Sequence, residues 1–163
     1  MSLIPSHDPV VVRAADAETI GALPVMGTLL ADSSATGGAL SAQRITLADG
    51  ADGATPHHHE TASELFFVLD GTLQVLSGEE VITAGKGDLL VVPPLTAHAF
   101  GAAPGHDADL LIVITPGVER FDYFRLLGRL AAGEDVFAEL LESQERFDNH
   151  FLDSPLWTQT RAR

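Results

Sequence analysis

The chain has 163 residues, enough for one domain, and 45% of them are apolar, so it can bury a sizeable core. Its 23 acidic and 9 basic residues give a net charge of −14, which argues against nucleic acid and membrane partners, because both attract basic surfaces. The absence of cysteine excludes disulfides and thiolate ligands and fits a cytoplasmic protein. No apolar run approaches the roughly 18 residues of a membrane span, and no signal peptide is visible.

Residues 1–39 predict an N-terminal arm, with a strand at residues 10–13 and a loop at residues 31–38. Residues 40–116 contain short runs rich in Val, Ile, Leu, Phe and Thr, separated by Gly, Pro or Asp. Runs with this spacing are typical of an all-β sandwich or barrel. The segments LDGT and SGEE predict tight hairpin turns, because glycine readily adopts the positive φ that such turns require.

After Pro116 the period of the apolar residues changes. Residues three positions apart fall on one face of a helix that Gly133 would end: Phe121, Phe124, Leu127 and Leu130. A second helix is predicted over residues 134–147, followed by an irregular tail that Phe151 and Trp157 would anchor. Residues 117–163 therefore predict a helical appendage on the barrel, the two forming one compact domain.

Three consecutive histidines, His57, His58 and His59, precede a predicted strand. Side chains alternate along an extended chain, so His57 and His59 point the same way and can share one metal ion. Glu64 lies on the next strand segment. His98 comes later, after a turn glycine, a buried strand and a pair of prolines.

The spacing of these residues resembles the two sequence motifs of the cupin family. The first is His57-x-His59, four residues, Glu64, six residues, Gly71; the second is Gly87, five residues, Pro93, four residues, His98. The resemblance covers about residues 40–115. It implies a double-stranded β-helix, or jelly-roll barrel, holding a metal ion through His57, His59, Glu64 and His98. The sequence departs from the family at Leu95, where a glycine is usual.

Three neutral imidazoles and one carboxylate suit one divalent transition metal ion and leave it open coordination positions. Fe, Ni, Co, Mn, Cu and Zn all fit, and the sequence does not choose among them. Glu64 would also act as the catalytic base, taking a proton from a substrate hydroxyl. The alternative is a barrel that kept its ligands as a structural relic.

We expect an apolar substrate pocket, because Arg44 and Lys86 are the only basic residues of the barrel stretch. This argues against phosphate and carboxylate substrates. The C-terminal helices resemble those of bacterial cupins similar to quercetin 2,4-dioxygenase, where they cap the barrel; the alternative is a purely structural role. The predicted pocket residues are Phe66, Leu95, Phe100, Tyr123 and Phe124.

The first hypothesis is a quercetinase-like dioxygenase acting on an apolar, aromatic or enol-type small molecule. The second is a non-redox cyclase, isomerase or hydrolase of polyketide-like substrates that uses the metal as a Lewis acid. The third is a small-molecule-binding protein without catalysis. We also expect a homodimer, because pairing removes the exposed edge strands of a barrel.

Overall fold

The computed structural model describes residues 8–162, so the first seven residues of the predicted arm lie outside the described part. The elements in chain order are β1 (Glu18–Ala22), β2 (Val25–Ala31), β3 (Ser41–Leu47), β4 (His57–His58), β5 (Ser63–Ser77), β6 (Glu80–Gly85), β7 (Leu89–Val92), β8 (His98–Ala102), β9 (Ala108–Thr115), α1 (Phe121–Ala131), α2 (Phe137–Glu142), α3 (Gln144–Phe147), β10 (His150–Phe151) and α4 (Pro155–Arg161). This is an antiparallel jelly-roll barrel with C-terminal helices, which confirms the predicted fold class. No helix within residues 8–162 is long and apolar enough to span a membrane.

Two antiparallel layers share the long strand β5. The first half of β5 pairs with β7 and β9, and the layer continues through β3 and β2 to β1. The second half pairs with β6 and β8, and that layer continues through β4 to β10. The core between the layers includes Phe66, Leu73, Leu110 and Ile112, none of them more than 1% exposed.

The hairpin predicted at LDGT is wrong, because β5 runs through this segment as one strand of 15 residues. The register against β9 shifts between Val68 and Asp70, which marks a bulge. Gly71 has φ 79°, and a Cβ atom there would lie 2.1 Å from the carbonyl oxygen of Asp107. Glycine is needed here for a close approach of two backbones and not for a turn. The predicted SGEE turn is confirmed, since Ser77 pairs with Glu80 around Gly78.

The N-terminal part differs from the prediction. Residues 10–13 form no strand, while the unpredicted hairpin of β1 and β2 extends the first layer beyond β3. Residues 33–36 form a short 3-10 helix inside the predicted loop. The sequence signal was misleading because the valines at 10–12 favour strand locally but have no partner strand in the described chain.

The C-terminal part begins as predicted, with α1 followed by Gly133 at φ 88°. The second predicted helix is divided into α2 and α3, and Asp148 ends α3 in the left-handed conformation with φ 47°. The tail is not irregular as predicted. It forms β10 against β4 and then α4, whose first turn is capped by the Ser154 hydroxyl accepting from the Trp157 N–H.

Arg161 fastens the tail to the second layer. Its guanidinium donates to the carboxylate of Asp52, the side-chain oxygen of Gln74 and the carbonyl oxygens of Gly50 and Ala102, over 2.7–2.9 Å. Because these groups lie on separate segments of the barrel, one side chain holds the end of the chain against it.

Gly71→Ala is expected to lower the free energy of unfolding by more than about 3 kcal/mol, because a positive φ and a backbone clash act together. Gly78→Ala is the matched control, since Gly78 also has positive φ but open space around a Cβ. It should cost only about 1–2 kcal/mol. Urea denaturation measures both values, and equal losses would contradict this account of Gly71.

Candidate metal centre

Four buried side chains meet inside the barrel. His57 lies on β4, His59 directly after it, Glu64 near the start of β5 and His98 at the start of β8, and none is more than 3% exposed. One oxygen of Glu64, Oε2, lies 2.6 Å from the Nε2 atom of His98, 2.9 Å from that of His59 and 3.9 Å from that of His57. All four ligand atoms lie within 4.8 Å of one another, close enough to share one ion.

The other ring nitrogen of each histidine faces a backbone carbonyl. His57 Nδ1 lies 2.7 Å from the oxygen of Thr55, His98 Nδ1 2.8 Å from that of Thr96 and His59 Nδ1 2.5 Å from that of Asp148. A carbonyl oxygen only accepts, so each Nδ1 carries a proton and each Nε2 is left to bind a metal. Three imidazole lone pairs and a carboxylate converging without a cation would repel one another, so this donor set fits a divalent ion.

Without an ion, protons balance the charges of this cluster. Burial, helped by the nearby His98, lowers the pKa of His57 to about 4. Burial also opposes the charge of His98, but its hydrogen bond to Glu64 raises the His98 pKa overall. Burial would raise the pKa of Glu64, yet the three histidines hold it well below its usual range. A metal ion must therefore displace a proton from His98 in order to bind.

The cluster borders a cavity of about 660 Å³. His57 and Glu64 form part of its wall, which continues over β1, β2, β3, α1, α2 and the tail. Most of the lining is apolar, for example Ile45, Leu127 and Phe151. The cavity therefore gives an apolar ligand direct access to the metal-ligating side chains.

Sequence comparison agrees with the barrel fold. The family profile for the cupin domain matches residues 43–115. The chain therefore contains a cupin domain. Quercetin 2,3-dioxygenase of Bacillus subtilis (strain 168) is 31% identical to this cupin over 77 residues, which make up 47% of this chain. The match spans only 22% of the length of that relative.

Solved structures share the fold of this cupin. KdgF from Halomonas sp. superposes with a TM-score of 0.59 at 21% identity, over 71% of this chain and 99% of that one. The polyketide cyclase RemF from Streptomyces resistomycificus superposes with a TM-score of 0.55 at 18% identity, over 67% and 80% of the two chains. At these identities the likeness is one of fold alone.

The predicted pocket residues of this cupin fall in different places. Phe100, Tyr123 and Phe124 line the cavity. Phe66 is fully buried in the barrel core, with its ring 5.3 Å from that of Phe100, and does not reach the cavity wall. The expectation for Leu95 is wrong, since this residue is 71% exposed and lies outside the cavity lining. Its φ of 62° and the bond from its N–H to the carbonyl of His59 fit a loop that turns the side chain outward.

Sequence analysis missed three polar residues of the cavity wall, Gln43, Arg120 and Asn149, each at most 3% exposed. Arg120 corrects the expectation of a pocket without basic groups. Arg120 lies outside residues 40–116, and the expectation rested on the basic residues of that stretch alone. Asn149 follows Asp148 at the end of α3, where sequence spacing gives no sign of contact with the barrel.

Asp148 was also missed, although it supports a metal ligand. Besides the carbonyl that accepts from His59, its carboxylate accepts from the N–H groups of Glu60 and Thr61 and from the Thr61 hydroxyl. Next to it, His150 pairs with His58 across β10 and β4, with the two rings stacked at 5.1 Å. The C-terminal tail thus fixes the segment that carries two of the four ligands.

Protein purified without an affinity resin is expected to contain about one equivalent of a divalent transition metal, and His98→Ala should contain clearly less, because losing one of four donors weakens metal binding. His58→Ala is the matched control, since it removes an adjacent imidazole that stacks on His150 outside the cluster. Elemental analysis of the three proteins gives the answer. Equal metal contents in His98→Ala and wild type would contradict the assigned ligands.

Metal-free protein is expected to lose stability as the pH falls from 6.5 towards 4. His57 takes up a proton in the unfolded chain near its ordinary pKa of 6.5, whereas the folded protein resists this until about 4. The loss amounts to about 3 kcal/mol across that range. His98 adds little over most of that range, because its raised pKa keeps it protonated in the folded protein and the unfolded chain protonates it near the ordinary pKa of 6.5.

Urea denaturation in EDTA, across that pH range, tests this dependence. In the His57→Gln variant the free energy of unfolding should depend less steeply on pH, because the contribution of His57 is gone. The contribution of surface carboxylates to the pH dependence remains in both proteins. Identical slopes for the variant and the wild type would show that His57 is not held neutral by burial.

Proposed function

We propose that this cupin is a mononuclear metal-dependent dioxygenase that acts on an apolar, aromatic or enol-type small molecule. The observation that carries the proposal is the complete set of four buried ligands on the wall of a mainly apolar cavity of about 660 Å³. A cavity of this size accommodates a flat molecule of several fused or linked rings.

His57, His59, Glu64 and His98 would hold one ion of Fe, Ni, Co, Mn, Cu or Zn. When bound, the ion would supply Lewis-acid activation of a substrate oxygen and, if redox-active, a site for O₂ chemistry. The carbonyl oxygens of Thr55, Thr96 and Asp148 accept from the three Nδ1–H groups, which orients each Nε2 atom toward the ion.

Glu64 is the proposed catalytic base. It lies on the cavity wall, so its carboxylate can take the proton of a substrate hydroxyl bound there. Phe100 and Phe124 offer aromatic surfaces against which a planar substrate can stack. The apolar wall excludes water and so strengthens the electrostatic contacts made at the ligand cluster.

The C-terminal helices are proposed to cover the cavity as a lid. Tyr123 and Phe124 on α1 and Leu140 on α2 belong to its wall. Phe137 and Leu141 on α2 also line it while remaining 56% and 42% exposed, which is the pattern expected at an entrance. A purely structural role for the helices would leave the cavity walls unchanged on ligand binding.

The dioxygenase reaction draws its support from the quercetin 2,3-dioxygenase relative, which is 31% identical to this chain over 77 residues. A non-redox reaction on polyketide-like substrates is the alternative, and the shared fold of a polyketide cyclase supports it. A third outcome is ligand binding without turnover. The native metal separates the first two, because zinc cannot take part in electron transfer.

Oxygen consumption by protein loaded with Fe, Ni, Co, Mn or Cu tests the proposal on flavonols, catechols and diketones. Wild type should consume O₂ with at least one class, and Glu64→Gln should be slower by roughly 100-fold or more, since it keeps the shape but cannot accept a proton. His58→Ala should react like wild type. No uptake with any substrate would refute the dioxygenase, and native zinc would favour the alternative.

We also propose a homodimer and keep a cytoplasmic location as a prediction. β7 pairs with β5 on one side and has no other strand partner in residues 8–162. Its Leu89 and Val91 are 59% and 52% exposed, which gives an apolar edge that a second copy would cover. Light scattering that gives the mass of a monomer would refute the dimer.

A further inference from the structure

The guanidinium of Arg120 is buried beside the cavity without a negatively charged partner. Arg120 is 3% exposed, and its Nη1 atom donates to the carbonyl of Phe147 over 3.1 Å. The other hydrogen bonds of the guanidinium are long ones to the side-chain oxygen of Asn149, at 3.4 and 3.5 Å, while the carboxylate of Asp32 accepts from the backbone N–H of Arg120. The guanidinium carbon lies 4.3 Å from the ring centre of Tyr123, and Nε has no hydrogen-bond partner within residues 8–162.

A buried guanidinium normally has a carboxylate beside it, because its charge is costly to remove from water. Here its neighbours are a carbonyl, an amide and two aromatic rings, which compensate the charge only in part. Arg120 forms no ion pair with any carboxylate of the described chain. A positive charge on the cavity wall is therefore left unbalanced.

Asn149 adds a second unused donor. It is 1% exposed, and its Oδ1 faces the guanidinium, which fixes the orientation of the amide. Its Nδ2 then has no acceptor among residues 8–162. Buried donors without acceptors are rare in folded proteins, and two on neighbouring side chains of one cavity lining would be satisfied by an acceptor bound in the cavity.

The charges of the ligand cluster point the same way. Glu64 contributes one buried negative charge, and Asp153, the other carboxylate of the cavity lining, is solvent-exposed. A divalent ion and Arg120 together would therefore leave an excess of positive charge in the buried part of the cavity. Both charges act on the pKa of Tyr123. Burial is the largest influence and raises this pKa, the charge of Arg120 lowers it and the charge of Glu64 raises it. Arg120 and Glu64 therefore act within one electrostatic environment.

We infer that this cavity binds an organic anion, an apolar carboxylic acid whose carboxylate accepts hydrogen bonds from Arg120 and Asn149. The apolar body would lie along Phe124, Leu127 and the remaining hydrophobic wall. This rests on the proposed function in that it names the substrate class of the same cavity. It reverses the expectation from sequence that carboxylates are excluded.

The test compares two ligands that differ mainly in charge, 2-naphthoate and 2-naphthamide. Both are titrated by calorimetry into full-length protein loaded with zinc, so that no turnover occurs. Wild type should bind the acid more tightly than the amide by roughly 10- to 100-fold, as expected for a charged hydrogen bond in a buried site. Arg120→Met should abolish that preference and leave the affinity for the amide within about threefold.

Two further variants separate anion binding from structural support. Arg125→Met removes a positive charge from the same helix, but one that pairs with Glu18 and Asp122 at the surface, so the preference should remain. Asn149→Asp places a carboxylate beside Arg120. It should fold with unchanged or higher thermal stability yet lose the preference, which gives a result even if Arg120→Met does not fold.

Equal affinities of wild type for acid and amide, or no binding of the acid, would overturn the inference. So would an acid preference that survives Arg120→Met or Asn149→Asp, because the acid would then be bound by zinc alone. Oxygen consumption is not measured here. A clear preference for the acid together with no oxygen uptake would refute the dioxygenase but not the anion site. Oxygen uptake without a preference for the acid would refute the anion site but not the dioxygenase.

Discussion

The contact of three imidazoles with the single carboxylate of Glu64 is the constraint on which the rest of this structure depends. Such a cluster is stable in a water-poor interior only if the second nitrogen of every ring is hydrogen-bonded and a cation or protons compensate the negative charge. The carbonyl oxygens of Thr55, Thr96 and Asp148 provide that support. The two-layer barrel brings the donors together, because β4 and β8 place His57 directly opposite His98.

The ligands were predictable from sequence because their signal is local. Alternation along an extended chain puts His57 and His59 on one face, and the spacing to Glu64 resembles a known motif. Arg120, Asp148 and Asn149 carry no such signal, since they lie next to the ends of helices far along the chain. The error at Gly71 has a different origin. A glycine after an acidic residue is compatible with a hairpin turn and with close backbone contact, and only the position of Asp107 distinguishes the two.

The cavity combines two kinds of recognition. Aromatic and aliphatic groups dominate its walls and accept many flat molecules, while the polar groups are few and fixed. Arg120 and the ligand cluster are buried charged features of this wall, and they would orient a substrate that carries a negative group. Selectivity in such a site comes from unpaired polar groups more than from shape, because a ligand that leaves them unmatched forfeits their hydrogen bonds.

The pairing of β10 with β4 has a consequence for how the protein assembles. The carbonyl of Asp148 that orients His59 belongs to the same short segment that seats the C-terminal tail, so seating the tail and completing the coordination sphere are one thermodynamic event. By reciprocity, whatever the docked tail adds to the affinity for an ion, the ion must add to the stability of the docked tail. An ion bound deep in the barrel would thus protect residues at the far end of the chain against proteolysis.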